Sequence, residues 1–439
     1  MNIQTKAERP RALLIAIKTP KQTELETAES LAELARLVDT LGFTVMSQHT
    51  QRMPSTSGAT ALGAGKLREL AKLTGGKGIV GGAEEELEEG ELLATVEPVS
   101  DLATVVVFDC ELRPSQLRHL EAAFGVEVLD RTGVIIEIFS RHAKTRTARL
   151  QVEIARLNYV APRIRETGSS SERQAGRGSG ESALETERRS IRDQLAQLKR
   201  ELASLQEGQS KHRSQRSEQA CVALVGYTNA GKSSTMRALT GSDVLVQDKL
   251  FATLDTTVRA MKPETQPRIL ISDTVGFIKK LPHDLVASFR STLDEALNAS
   301  LLLYIVDASD PTFRNQLEVV DEALREVGVK DTASLLILNK ADKVEPTQKK
   351  LLQREFPEAI LMSAKEINDI SILRESILQF FEKDMQEEEF LIPYATEGAI
   401  GEIRASMRVT KELFEENGTR LFVRARPELL AAFKRRYSL

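Results

Sequence analysis

The segment Gly226-Tyr227-Thr228-Asn229-Ala230-Gly231-Lys232-Ser233 constrains this chain more than any other. An apolar, strand-sized run (residues 220–225) precedes it and a helical pattern (residues 234–239) follows. The spacing G-x-x-x-x-G-K-S between a buried strand and a helix is that of a phosphate-binding loop. Its glycines let backbone N–H groups turn inward. Lys232 then reaches the β- and γ-phosphates, and the Ser233 hydroxyl ligates Mg2+. The helix N-terminus adds partial positive charge. A strand that delivers such a loop belongs to a doubly wound α/β sheet, whose ligands bind at the carboxyl ends of the strands.

Three further motifs stand at later strand ends, in a fixed order. Asp273-Thr274-Val275-Gly276 follows the apolar run 269–272. Asp273 would hold the Mg2+ shell, through water, and the Gly276 amide would meet the γ-phosphate. Asn339-Lys340-Ala341-Asp342 follows the run 335–338. The Asp342 carboxylate can accept from guanine N1 and its 2-amino group together, which adenine cannot offer, so it selects GTP and GDP. Ser363-Ala364-Lys365 follows the run 360–362, and its Ala364 amide can meet guanine O6. The four motifs together specify a P-loop GTPase. A switch segment must lie between the P-loop and Asp273. The best candidate is Phe251-Ala252-Thr253-Leu254-Asp255, in which a Thr would bind metal through its hydroxyl; Thr253, Thr256 and Thr257 compete. Many small GTPases place a water-orienting Gln after the Gly of D-x-x-G. Here that residue is Phe277, so slow hydrolysis by the free protein is expected.

The length of 439 residues fits two to four domains. Residues 1–142 alternate short apolar runs (13–17, 43–46, 105–108, 126–129) with helical patterns, as an α/β domain with a parallel sheet does. Residues 143–207 read as two helices, the first ending before Pro162, joined by a Gly/Ser/Arg-rich loop at 163–182. In the second helix Leu184, Ile191, Leu195, Leu198, Leu202 and Leu205 form a heptad seam, so an antiparallel hairpin with a basic tip is expected. Residues 208–219 read as a linker, 220–383 as the P-loop domain, and 384–439 as a small α+β domain. Gly63-Ala64-Gly65-Lys66 reads as a turn opening a helix; it lacks the Ser or Thr of a second phosphate loop.

Charge refines this division. The formal net charge is −4, which by itself argues against a nucleic-acid binder. Residues 141–220, however, carry 17 Lys/Arg against 10 Asp/Glu, a balance of +7 that leaves −11 elsewhere. Residues 84–91, within a stretch rich in Glu, read as a solvated excursion. Two cysteines and five scattered histidines give neither a disulfide framework nor a zinc site, and a reducing cytoplasm fits. Apolar runs are too short to span a membrane. Of the arginines in the hairpin, Arg163, Arg165, Arg173 and Arg177 are the candidate RNA contacts, with Arg141, Lys144, Arg146 and Arg149 beside them. Aromatics are only 5%, so sequence-specific RNA readout is not expected.

Several segments resemble the HflX family of ribosome-associated GTPases, over nearly the whole chain. They are Phe108-Asp109-Cys110-Glu111-Leu112-Arg113-Pro114-Ser115-Gln116, Val128-Leu129-Asp130-Arg131-Thr132-Gly133, Leu150-Gln151-Val152-Glu153, Leu184-Glu185-Thr186-Glu187-Arg188-Arg189, Asp273 to Ile278, and the switch segment 251–255. The resemblance implies that Thr253 is the metal-binding threonine, and that Lys232, Thr253 and Gly276 are catalytic. It implies Mg2+ as cofactor, with K+ a candidate second cation because some related GTPases bind one through an Asn at the position of Asn229; the alternative is that Asn229 only shapes the loop. It implies a cytoplasmic monomer that binds the large ribosomal subunit and its ribosomal RNA and splits or rescues stalled ribosomes. Two alternatives remain: a ribosome-assembly GTPase, and a regulatory switch acting on a protein partner through the hairpin. Gly178-Ser179-Gly180-Glu181 departs from the family's Gly-Pro-Gly-Glu run.

Overall fold

A computed structural model describes residues 9–79, 102–167, 180–214, 220–241, 250–251, 257–265, 268–280, 295–329, 332–383, 385–396 and 398–437. The chain divides into two compact units, residues 1–205 with 280–289 and residues 206–279 with 290–439.

In the first unit β1 (Arg11–Lys18), β2 (Thr44–Arg52), β3 (Val105–Phe108) and β4 (Glu127–Asp130) form a parallel sheet in the order β2-β1-β3-β4. The central strands β1 and β3 are buried along their length and read as continuous apolar runs. The edge strand β2 alternates half-buried and exposed residues, so it continues to Arg52, well past the apolar run at 43–46. Helix α1 (Glu24–Thr40) opens with a capping box between Thr23 and Glu26 and buries Leu31, Leu34, Leu37 and Val38. Helices α2 (Ala64–Ala71) and α3 (Pro114–Phe124) cover the sheet with Leu67, Leu70, Leu120 and Phe124. Each such buried side chain contributes about 1.5–3 kcal/mol. Gly63 caps α2 and Lys66 pairs with Glu69 at 2.7 Å, so Gly63-Ala64-Gly65-Lys66 does open a helix.

Helix α4 (Arg131–His142) has no counterpart in the sequence reading. Eight of its twelve residues are buried, so it shows no one-sided apolar stripe. Helix α5 (Arg146–Thr167) packs on α3 and α4 and buries Leu150, Ile154 and Leu157. It does not end before Pro162 as expected. The proline costs one N–H, and Arg163 Nη1 adds a donor to the Tyr159 carbonyl in the same turn, at 2.6 Å. Helix α6 (Gly180–Ser214) runs seven residues into the segment expected as a linker. Its seam residues Ile191, Leu195, Leu198, Leu202 and Leu205 are half-buried, and Arg146 Nε donates to Glu201 at 2.8 Å. Residues 168–179 of the expected tip loop and the acidic stretch 84–91 lie outside the described residues, as does the Leu184 side chain.

The Asp109 and Asp130 segments explain two of the family-like motifs. The buried Asp130 carboxylate accepts from Leu112 N (3.1 Å), Gly133 N (2.8 Å), Tyr159 Oη (2.5 Å) and Arg163 Nη2 (3.0 Å). Arg131, 2% exposed, donates to Asp109 at 2.8 Å and also pairs with Glu33. Lys280 Nζ reaches the other Asp109 oxygen at 2.8 Å and Ser30 Oγ at 2.9 Å. Asp109, Leu112, Arg131, Tyr159, Arg163 and Lys280 border a cavity of about 660 Å³ at the carboxyl ends of β1, β3 and β4. Cys110 also lines it; burial first, then the Asp109 and Asp130 charges, pushes this thiol up to about 12. A raised thiol pKa leaves little nucleophile. At pH 8 its thiolate fraction is about 10⁻⁴, so iodoacetamide should label Cys110 at least about 100-fold more slowly than a free cysteine. Labelling should accelerate about tenfold per pH unit above 8. Peptide mass spectrometry reads this directly, and labelling at the rate of a free cysteine at pH 8 would contradict the raised thiol beside Asp109 and Asp130.

In the second unit β5 (Ala220–Gly226), β6 (Thr257–Ala260), β7 (Ile269–Asp273), β8 (Leu301–Asp307), β9 (Ser334–Asn339) and β10 (Ile360–Leu361) lie in the order β10-β9-β8-β5-β7-β6. All pairings are parallel except β6 with β7. α7 (Lys232–Thr240) and α10 (Ile367–Glu382) bury Met236, Leu239, Leu373 and Ile377 against Val222, Leu224, Ile271 and Leu303. α8 (Phe313–Val327) and α9 (Pro346–Glu355) pack Phe313 and Leu352 with Val306 and Leu338. This is the doubly wound sheet expected from the motifs. The C-terminal part is the expected α+β layer: strands β11 (Gln386–Ile392), β12 (Arg408–Glu415) and β13 (Gly418–Ala425) pair antiparallel in the order β11-β13-β12. Helices α11 (Ala399–Ser406) and α12 (Pro427–Tyr437) cover Phe390, Ile392, Leu421 and Val423 with Ile403 and Phe433. Among the described residues no helix is long and apolar enough to cross a membrane.

Candidate functional site

β5 ends at Gly226, and the next residues turn back into α7, whose first two residues are Lys232 and Ser233. Asn229 (φ +59°) and Gly231 (φ +99°) are left-handed, which curls the loop into a concave ring of N–H groups suited to an anion. Gly231 is required: a Cβ there would lie 2.1 Å from Asn339 Nδ2. Asn339 is almost fully buried, and its amide links its own loop to the P-loop and to the Ala364 loop. Nδ2 donates to the Ala230 carbonyl at 2.9 Å, and Oδ1 accepts from Ala364 N at 3.0 Å. The Ala364 amide, expected on guanine O6, is therefore shared with Asn339, because that buried carbonyl oxygen needs a donor.

Lys232 is buried, and its Nζ donates to the Gly226 carbonyl at 3.0 Å and the Tyr227 carbonyl at 2.8 Å. Burial pushes its ammonium down to about 8, with Asp273 opposing. An anionic phosphate beside it favours the charged form. Ser233 Oγ donates to Asp273 Oδ2 at 2.7 Å, which brings a hydroxyl and a carboxylate together beside the loop. An all-oxygen pair of this kind fits Mg2+. Among the described residues no cluster of three or more His, Cys, Asp or Glu could hold a metal. A Mg2+ ion here would therefore draw on hydroxyl, water and phosphate oxygens. Thr274 faces away from the loop: its Oγ1 donates to the Leu224 carbonyl at 2.7 Å. Ala252, Thr253, Leu254, Asp255 and the competing Thr256 lie outside the described residues, and Thr257 begins β6 opposite Asp273.

At the base-reading end, the Asp342 carboxylate accepts from Ser363 Oγ at 2.8 Å and lies 3.5 Å from Lys365 Nζ. The Ser363 bond, chiefly, holds this carboxyl below its usual range, so it is ionised and aimed. Lys340, left-handed at φ +60°, pairs with Asp307 at 2.8 Å. Asp307, at the end of β8, and Asp369, which accepts from Ser363 N at 2.8 Å, were not singled out in the sequence. The position of Asp307 after the apolar run 301–306 was the available signal.

The basic hairpin fares differently. Arg163 is turned inward, 16% exposed, paired with Asp130 and stacked on Tyr159 with its guanidinium 3.2 Å from the ring centroid. Its fork is occupied by protein, which removes it from the candidate phosphate contacts. Arg173, Arg177 and the Arg165 side chain lie outside the described residues. Arg188, Arg189, Arg192 and Arg200 on α6 are exposed.

Three family profiles match the chain. One described as "GTP-binding GTPase N-terminal" covers residues 28–80 and 84–140. "GTP-binding GTPase Middle Region" covers 142–216, and "50S ribosome-binding GTPase" covers 221–340. Among curated proteins, the GTPase HflX of Gluconacetobacter diazotrophicus is 54% identical over 445 aligned residues, spanning 99% of each chain. The GTPase HflX of Spirochaeta thermophila is 37% identical, spanning 97% of this chain and 98% of its own. A solved structure of a GTP-binding protein from Sulfolobus solfataricus, in complex with GDP, is 23% identical over 84% of this chain and 98% of its own, with a TM-score of 0.44.

Proposed function

We propose, from the premise that this chain belongs to the HflX family of GTPases, that it binds the large ribosomal subunit and hydrolyses GTP to split or rescue stalled ribosomes. The carrying observation is that a ribosome-binding GTPase profile on residues 221–340 adjoins a middle region whose net charge is +7. Ribosomal RNA is the polyanion such a region suits, through phosphate contacts rather than base readout. Exposed Arg188, Arg189, Arg192 and Arg200 on α6 join Arg165, Arg173 and Arg177 as its contacts.

The chemistry is phosphoryl transfer to water. The P-loop amides and Lys232 hold the β- and γ-phosphates, Gly276 N–H meets the γ-phosphate, and Asp342 reads the base. Ser233 and Thr253 would hold Mg2+, with Asp273 behind a water; the ion neutralises developing phosphate charge. Phe277 offers no hydrogen bond to the attacking water, so the missing group would come from elsewhere in the chain, from the ribosome, or from a potassium ion that Asn229 would help to hold. Large subunits should raise the GTP turnover of the full chain at least about tenfold, the scale of one missing catalytic contact. The protein with GTP should also release subunits from intact ribosomes on a sucrose gradient. Failure of large subunits to stimulate turnover contradicts the partner-activated reading. Binding confined to free or immature large subunits would favour an assembly factor instead. Equal stimulated rates in potassium and sodium would remove the cation.

A further inference from the structure

The segment after β7 is fastened to the P-loop at two points, Phe277 and Lys279. Tyr227 and Phe277 form an isolated parallel bridge: Thr228 N donates to the Phe277 carbonyl at 2.8 Å, and Phe277 N donates to the Gly226 carbonyl at 3.2 Å. Two residues further on, Lys279 N donates to the Tyr227 hydroxyl at 2.7 Å. The P-loop thus grips the segment twice, by the Gly226 and Thr228 backbone at Phe277 and by the Tyr227 side chain at Lys279. Tyr227, Phe277 and Ile278 are each at most 5% exposed, and Lys279 is half-buried. Between the grip and β7 lies Gly276. A Cβ at Gly276 would stand 2.9 Å from Thr228 Cα and 3.1 Å from Lys232 Nζ, so its backbone rests on the loop beside the phosphate-reading lysine.

We propose that Tyr227 is a positioning residue for GTP hydrolysis. Its hydroxyl pins the chain at Lys279, and this holds the Gly276 N–H where the γ-phosphate must sit. The inference rests on the GTPase reading and adds to it a device outside the four nucleotide motifs' usual contacts. Its consequences are selective. GDP is held by the loop amides, Lys232 and the base-reading residues, none of which needs Lys279. GTP and its transition state also need the Gly276 amide, whose position depends on the grip. A side-chain hydroxyl bonded to a half-buried backbone N–H fixes position because leaving that N–H without a partner is costly.

Tyr227→Phe keeps the ring and removes only the hydroxyl. Single-turnover GTP hydrolysis by the full chain should fall about tenfold, the scale of one half-buried N–H left without its partner. GDP affinity should stay at the parent's value, and the thermal midpoint should fall by no more than about 4 °C. Lys279→Pro removes the N–H from the other end; it should slow hydrolysis to a similar degree and add little in the double variant. Intact GDP binding in each variant reports that the domain is folded. A Tyr227→Phe rate equal to or above the parent's overturns the proposal. So does an equal weakening of GDP and GTP binding, which would make Tyr227 part of the loop's scaffold only. Loss of hydrolysis in the parent chain itself, with GDP still bound, would instead count against the GTPase reading.

Discussion

Asp342→Asn should weaken GTP and GDP binding by about two orders of magnitude or more, while xanthosine nucleotides gain. The carboxylate is held ionised by Ser363 and faces the site's base-reading end. In the proposed site it would accept from guanine N1–H and the 2-amino group, and hydrogen bonds to a charged acceptor contribute about 1.5–3 kcal/mol each. Losing the charge and one acceptor costs on that scale, and each 1.4 kcal/mol is about tenfold in affinity. Xanthine carries a 2-oxo group where guanine carries an amine, so the Asn amide can donate to it while its carbonyl still accepts from N1–H. Equilibrium titration with both nucleotide series separates recognition from folding. Parent-like GTP affinity in the variant would mean that Asp342 does not read the base.

Arg131→Met should destabilise the first unit by about 3 kcal/mol, because it leaves the half-buried Glu33 without its cation and Asp109 with Lys280 alone. Methionine keeps much of the side-chain volume, so the effect isolates the guanidinium. Glu33 and Asp109 both face Arg131, whereas Lys280 serves Asp109 alone among the two. Denaturation of the full chain should show an early transition with GDP binding retained, and faster Cys110 labelling at pH 8. Adding Glu33→Gln should recover part of the loss, since the uncompensated charge is then removed. A loss below about 1 kcal/mol would place this network among the weak surface pairs.

The nucleotide site was legible because its chemistry is local. The P-loop, D-x-x-G, N-K-x-D and S-A-K segments each lie within three to eight consecutive residues at a strand end, and backbone curvature follows from the glycines and their neighbours. Asn339 was read as one letter of a motif; that it joins the P-loop to Ala364 depends on strands more than 100 residues apart in sequence. The hairpin arginines were read as a charge count, and charge counts do not say which way a side chain faces. Arg163 turns inward because Asp130 is buried and needs cations and donors, a demand made by residue 130 and invisible at residue 163. Helix α4 escaped notice for the opposite reason: burial on most sides erases periodicity.

The sequence by itself determined the fold class, the identity of the nucleotide, the order of the loops and the family, because each rests on short-range patterns of residue type. Tertiary structure alone decided which motif residues touch phosphate-facing space and which, like Thr274, brace the sheet. It also decided that the LDRTG-like segment is a buried ion and hydrogen-bond hub, and that Tyr227 clasps the chain at Lys279. Those roles depend on distances between residues far apart in the chain. Such distances are fixed by packing, where desolvation makes every unpartnered polar group costly and so dictates its partner.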